Sequence, residues 1–229
     1  MYTDQLLDFL AASPSCYHAV HALAQRLTRE GYIRLREAES WALAPGGKYF
    51  VPRNGSSLLA FRVPQTAPAG FLLAAAHTDS PTFKIKHNPE KTAGPYVQLS
   101  TEKYGGMLMG TWFDRPLSVA GRVVTAKDGK LETKLVDVGR DLVVIPSVAI
   151  HMNRAANDGF KLMPNVDTLP LFGMQESAGS FRAIVAEAAG VKADEILGED
   201  LSLYVRTRGS VFGAKNEVIL APRLDDLGC

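Results

Sequence analysis

Cysteine is nearly missing from this 229-residue chain, which holds only Cys16 and Cys229. The two lie far apart without CxxC spacing, so neither a disulfide framework nor a thiolate zinc site is indicated, and a reducing, cytoplasmic setting is expected. An excess of charge of one sign is missing too. Twenty-five basic residues against twenty-four acidic ones leave a net charge of +1. No global field therefore draws nucleic acid or an anionic membrane surface, and neither is expected as a partner. No apolar run approaches the roughly 20 residues of a membrane span, and the start, MYTDQLLDFLAASPS, carries acids without a basic leader, so neither anchor nor secretion signal is expected. The glycine-containing stretch YGGMLMGTWFDRPLSVAG lacks both the GK[ST] ending of a phosphate loop and the GxGxxG order of a dinucleotide site. A Gly-x-Ser-x-Gly elbow and a Cys-His arrangement are absent as well, which leaves nucleophilic acyl chemistry little support.

Apolar residues make up 46% of the chain, ample for one large domain or two smaller ones. From Ser15, SCYHAVHALAQRLTREGY sets Val20, Leu23, Ala24 and Leu27 at helical spacing, with Ser15 placed to cap the start and Gly31 to stop the end. KYFVPRNGSSLLAFRV then has two apolar runs around Asn54-Gly55, a hairpin signal because both residues tolerate positive φ. Phe71 to Ala76 is an uninterrupted apolar run of strand length, as expected of a strand buried on both faces, and His77 stands at its carboxyl end, where open α/β sheets bind ligands. From about Thr92 the texture changes to short β-like runs, PYVQLSTEKYGG, LSVAGRVVTAKDGKLETKLVDV and DLVVIPSVAI, with turns at Asp128-Gly129 and Asp158-Gly159. A helix is expected at SFRAIVAEAAG, capped by Ser180, followed by strand-like LSLYVRT and NEVILAP. The last residues, RLDDLGC, look like a turn and the beginning of a helix, which suggests a fragment of a longer chain.

Two constellations offer metal chemistry. In His77-Thr78-Asp79 the outer residues project to one side of an extended backbone. His77 is then a candidate ligand and Asp79 a candidate partner for its other ring nitrogen; the alternative is a turn beside a half-exposed histidine. Asp225-Asp226 follows an apolar run, and such carboxylates suit hard divalent ions, one of them able to bridge two. The same pair would equally serve as a helix cap. His18 and His21 are three apart on a helix, spacing that permits chelation but equally fits a polar face. His87 reads as a loop residue. His151, after an apolar strand and beside Asn153 and Arg154, is either substrate-facing or an ordinary edge histidine.

Taken in order, HTDSPTFKIK, YGGMLMGTWFDRPLSVAGRV, IPSVAIHMNRAANDGFK and APRLDDL resemble the aspartyl aminopeptidase family of two-zinc metallo-aminopeptidases, along nearly the whole chain. The resemblance implies an α/β fold: a helix-covered mixed sheet forming an incomplete catalytic domain, residues 1–91 and 200–229, interrupted at 92–199 by a β-rich domain for dimerisation and assembly. It implies that His77 is a zinc ligand, Asp79 the catalytic carboxylate that orients it, Asp225 the carboxylate bridging two zinc ions, and His151 a substrate-binding residue reaching a neighbouring subunit's site. A cis peptide between Asp225 and Asp226 goes with it, and Asp226 departs from the family's frequent asparagine. The expected partners are a peptide substrate and further copies of the chain in a dimer-based homo-oligomer. Cobalt or manganese are alternative metals. The family's Glu-Glu pair, source of the general base and a ligand, has no counterpart here, since the sequence contains no Glu-Glu dipeptide. The expectation is thus the N-terminal portion of an aminopeptidase preferring acidic N-terminal residues, inactive by itself; the alternative is a non-catalytic truncated paralogue serving as an assembly module.

Overall fold

The structure, a computed structural model, describes residues 2–225. They form two compact units, one from the residues up to Ser80 and from Arg208 onward, the other from Pro81 to Thr207. The fold class is mixed α/β, with an antiparallel sheet dominating the second unit.

In the first unit helices α1 (Tyr2–Ala11) and α2 (Cys16–Arg29) precede a three-stranded sheet of β1 (Ile33–Arg34), β2 (Lys48–Arg53) and β3 (Ser57–Arg62). Ser15 occupies the cap position of α2 in extended conformation, but its hydroxyl meets His18 Nδ1 at 2.8 Å rather than a backbone amide. Gly31 follows the helix at φ +80°, a conformation glycine adopts without strain because it has no Cβ. The expected hairpin is present: Asn54 and Gly55 both take positive φ, and β2 and β3 pair from Lys48–Arg62 down to Arg53–Ser57. Pro52, which has no N–H to give, lies beyond the short stretch where β1 pairs with β2 at Tyr49 and Phe50. β10 (Ser210–Phe212) and β11 (Val218–Leu220) make a separate two-stranded ribbon.

Phe71 to Ala76 departs from expectation. The segment joins no sheet among the described residues, and Phe71, Leu72 and Leu73 are 92%, 102% and 85% exposed. The apolar run is that of a central strand, and no described strand lies against its backbone.

In the second unit β4 (Thr82–Ala93), β5 (Tyr96–Tyr104), β6 (Leu117–Lys127), β7 (Lys130–Asp137), β8 (Leu171–Met174) and β9 (Ile196–Val205) form an antiparallel sheet ordered β7-β6-β9-β4-β5-β8. Helix α3 (Pro164–Asp167) is a single turn, and α4 (Phe181–Ala189) places Phe181, Val185 and Ala186 in the same core as Phe83, Leu99, Val119, Val123 and Leu203. Alternation places these strand side chains on one face. Gly121 has to be glycine: a Cβ there would stand 2.0 Å from the carbonyl oxygen of Asp200 on the adjoining strand β9. On the opposite face Ser118 pairs in register with Tyr204, whose hydroxyl donates to Asp137 Oδ1 at 2.6 Å.

The change of texture at Thr92 lies inside β4, which begins ten residues earlier, and residue 200 lies inside β9. The cause is a bulge: between Ile85 and Glu90 the register with β5 shifts, with Asn88 at φ +49°. It breaks the alternation and makes KHNP resemble a loop, so His87 belongs to a strand, near Glu199 at 3.8 Å. The bulge also aims Glu90 at α4, where its carboxylate accepts the amides of Gly179 and Phe181. Ser180, the expected cap, turns its hydroxyl back to the Ser177 carbonyl instead. DLVVIPSVAI is likewise not a regular strand: Val143, Val144 and Ile145 make isolated bridges, and the chain is exposed from Pro146 to Met152.

Candidate metal centre

His77 and Asp225, 148 positions apart by their numbers, come together within the first unit. His77 follows the apolar run, and the next residue fixes its place: Thr78 Oγ1 donates to the Ser56 carbonyl at 2.6 Å, in the β2–β3 turn. The imidazole Nδ1 then faces both oxygens offered by Asp79, the side-chain Oδ1 at 3.1 Å and the backbone carbonyl at 3.0 Å. Two acceptors there assign the ring proton to Nδ1. Nε2 is thereby left as the electron-pair donor, and it faces Asp225 Oδ1 at 3.6 Å.

That spacing bears on whether the pair suits a metal. It is longer than a hydrogen bond, and two electron-rich atoms converge. Zinc bound at about 2.0–2.2 Å from an imidazole nitrogen and a carboxylate oxygen holds them about 3.4 Å apart at the tetrahedral angle. The donor types and their separation therefore fit a zinc ion, with Asp79 in the orienting position on the far nitrogen. The pair is open to solvent, the His77 and Asp225 side chains being 49% and 78% exposed. It is also incomplete: among the described residues no group of three or more His, Cys, Asp or Glu side chains is arranged to hold a metal. Asp226, and with it the expected cis peptide, lies outside the described residues.

Arg223 escaped notice in the sequence although it lies two residues before Asp225. It adopts φ +61°, a conformation that costs a non-glycine residue on the order of 1 kcal/mol. Its Nη2 donates to the Leu10 carbonyl at 2.7 Å, at the carboxyl end of α1, where that carbonyl also accepts the Ser13 amide at 3.3 Å. The turn carrying Asp225 is thus tied to α1. An arginine next to an acidic pair after a strand was the available signal, but nothing local distinguished it from a surface charge.

His151 is exposed, in a turn closed by the Met152 amide on the Ala149 carbonyl at 2.8 Å. The segment leading to it is fixed by Asp114, whose Oδ1 accepts the Ser147 amide at 2.8 Å while its own amide donates to the Ile145 carbonyl at 3.0 Å. Hydrogen bonds from Ser147, side chain first and amide second, hold the Asp114 carboxyl below the usual aspartate range. Asp114 takes φ +53°, which aspartate tolerates better than most residues. His18 and His21 remain on α2, His18 with Ser15 and His21 with Gln25 at 3.0 Å, and neither joins the centre.

Fold and site together define a mixed α/β chain that presents a histidine–carboxylate pair suited to zinc. Residues 9–229 match the family described as aminopeptidase I zinc metalloprotease (M18). The chain belongs to that M18 family of metallopeptidases. It is 44% identical over 235 residues to a probable M18 family aminopeptidase 2 of Clostridium acetobutylicum, a match covering 99% of this chain and 54% of the relative. A probable M18 family aminopeptidase 2 of Pseudomonas paraeruginosa is 44% identical over 230 residues, covering 97% and 54% respectively. Among solved structures, Ape4 in its complex with Nbr1 superposes with a TM-score of 0.93 at 34% identity, over 97% of this chain and 47% of that one. The mApe1 protein of Chaetomium thermophilum gives 0.86 at 34% identity, over 98% and 55%. The chain thus spans about half the length of the relatives it matches.

Proposed function

We propose that the chain is the N-terminal portion of a two-zinc aminopeptidase that removes N-terminal residues, acidic ones by preference, from peptides, and that these 229 residues are inactive by themselves. The observation that carries this reading is His77 held between Asp79 on one ring nitrogen and Asp225 on the other. Zinc bound there would acidify a water and polarise a peptide carbonyl, with cobalt or manganese as substitutes. His77 and Asp225 would be its ligands, Asp225 bridging to a second ion. Asp79 keeps the proton on Nδ1 and the ring in orientation; Arg223 keeps the Asp225 turn against α1. His151 would hold substrate in the site of a neighbouring subunit. A solved relative is described as an mApe1 dodecamer at 27% identity, which supports a homo-oligomer; a dimer basis, the β unit as dimerisation domain and a cytoplasmic setting belong to this same reading. No pair of adjacent glutamates is available for the general base, hence the expected inactivity.

Calorimetric zinc titration of the chain tests the site. Binding should weaken at least about tenfold in His77→Ala and in Asp225→Ala, and about 10- to 100-fold in Asp79→Asn. Zinc affinity indifferent to His77→Ala would refute the ligand assignment. Aspartyl- and glutamyl-p-nitroanilide should be left uncleaved by the isolated chain, and zinc-dependent cleavage would contradict its inactivity.

The second reading is a non-catalytic truncated paralogue that serves as an assembly module. It is favoured by the second unit's possession of a core of its own. Under that reading the chain co-purifies with an intact M18 aminopeptidase and its zinc affinity has no bearing on the association.

A further inference from the structure

His77 and Asp79 meet across a bend, and Thr78 is the residue at that bend. The bend lets Asp79 return both its Oδ1 and its carbonyl oxygen to His77 Nδ1, at 3.1 Å and 3.0 Å. The imidazole side chain is 49% exposed, so packing alone does not settle its direction. That direction matters: Nε2 stands 3.6 Å from Asp225 Oδ1, and a shared ion tolerates only about 0.2 Å of error in each ligand distance.

Thr78 directs its own side chain to a different element. Its Oγ1, part-buried, donates at 2.6 Å to the carbonyl of Ser56, twenty-two positions earlier. The receiving turn is closed in its own right: the Ser56 amide donates to the Arg53 carbonyl at 3.2 Å, Asn54 and Gly55 take φ +51° and +68°, and β2 and β3 stay in register down to Arg53 and Ser57. Arg53 Nε donates in turn to Glu37 Oε1 at 2.8 Å. Branching at Cβ restricts the χ1 angle of threonine, so a hydroxyl fixed to this turn also fixes the bend that carries His77 and Asp79.

We propose that Thr78 is a positioning residue for zinc and that, through it, the β2–β3 turn belongs to the metal centre. The proposal rests on the assignment of His77 as a ligand and adds to it the source of the ring's placement. Coupling of this kind is reciprocal. A fixed turn tightens zinc, and bound zinc, by holding His77, quiets the turn.

The test is calorimetric zinc titration and amide hydrogen exchange of the 229-residue chain as the parent, Thr78→Val, Thr78→Ser and His77→Ala. Thr78→Val keeps the branched shape and loses the donor. It should weaken zinc about three- to tenfold, the size of one net hydrogen bond, with the circular dichroism of the zinc-free chain unchanged. Thr78→Ser keeps a hydroxyl and should hold zinc as the parent does. Zinc should slow exchange of the Ser56 amide in the parent and not in Thr78→Val; a hydroxyl that only steadied the fold would leave that zinc dependence in place. Parental affinity in Thr78→Val, with His77→Ala weakened, overturns the proposal and leaves the ligand assignment standing. Indifference to His77→Ala removes the ligand assignment and the proposal together. A weakening in Thr78→Val that Thr78→Ser shares, or exchange at Ser56 that ignores zinc in the parent, overturns the proposal as well.

Discussion

The two units spend their apolar residues differently. Between Pro81 and Thr207, eighteen buried side chains from strands, connections and α4 form one cluster, with Phe83 meeting Trp112 edge to face at 5.3 Å between ring centroids. In the unit made of both ends of the chain, the cluster around α1 and α2 has two fully buried members, Leu10 and Ala19, with Leu6, Phe9 and Ala221 packed against them, while Phe71 to Leu73 face water. One unit covers its apolar residues among the described strands and α4, and the other leaves an apolar run in water. The difference teaches that the candidate metal pair lies in the less covered unit: His77 follows the exposed run, and Asp225 sits on a turn that Arg223 ties to α1.

Substitutions that break the contrast should fall in a definite order. Phe83→Ala should be the most damaging, costing about 3–5 kcal/mol in urea denaturation because it empties a sealed core position. Glu90→Ala should cost about 1–2 kcal/mol, since it strips two amides at the start of α4 of their acceptor; loss of protection at Gly179 and Phe181 would confirm the cause. Tyr204→Phe should cost about 1 kcal/mol at neutral pH for the lost bond to Asp137. Burial first, and the Asp137 bond second, push the Tyr204 phenol above its usual range. Its contribution is therefore complete below about pH 10, where the unfolded tyrosine titrates, and is lost as pH rises through the higher folded value. The alkaline decline of stability should accordingly be shallower in Tyr204→Phe than in the parent. Leu72→Lys should be the mildest, within about 0.5 kcal/mol, because the side chain is already in water. A large loss there would mean that Leu72 is packed, and the contrast between the units would collapse.

Legibility in the sequence followed the same division. Where local chemistry decides, as at Asn54-Gly55, at α2 between Ser15 and Gly31, or along β6, the expected element is present. The α/β class and the M18 relationship were carried by four motifs in order, and the resemblance agrees with the family match. Expectation failed where a partner distant in sequence decides the outcome. The bulge at Asn88 hides a strand inside KHNP, because its purpose, capping α4 through Glu90, lies ninety residues onward. Phe71 to Ala76 has the composition of a buried strand, but composition does not supply the neighbour. In the site, His77, Asp79 and Asp225 were readable as residue types, whereas Arg223 and Asp114 act through backbone carbonyls and amides that no spacing rule reveals.

The most direct test of the contrast is amide hydrogen exchange of the chain alone, at neutral pH, resolved to short peptides. The account predicts that β6 and β9 are the slowest regions, opening only with the unfolding of their unit, and that residues 71–77 exchange nearly as fast as an unstructured peptide. Protection of 71–77 comparable with that of β6 would contradict it, since the run would then already have its strand partner and the first unit would be as complete as the second.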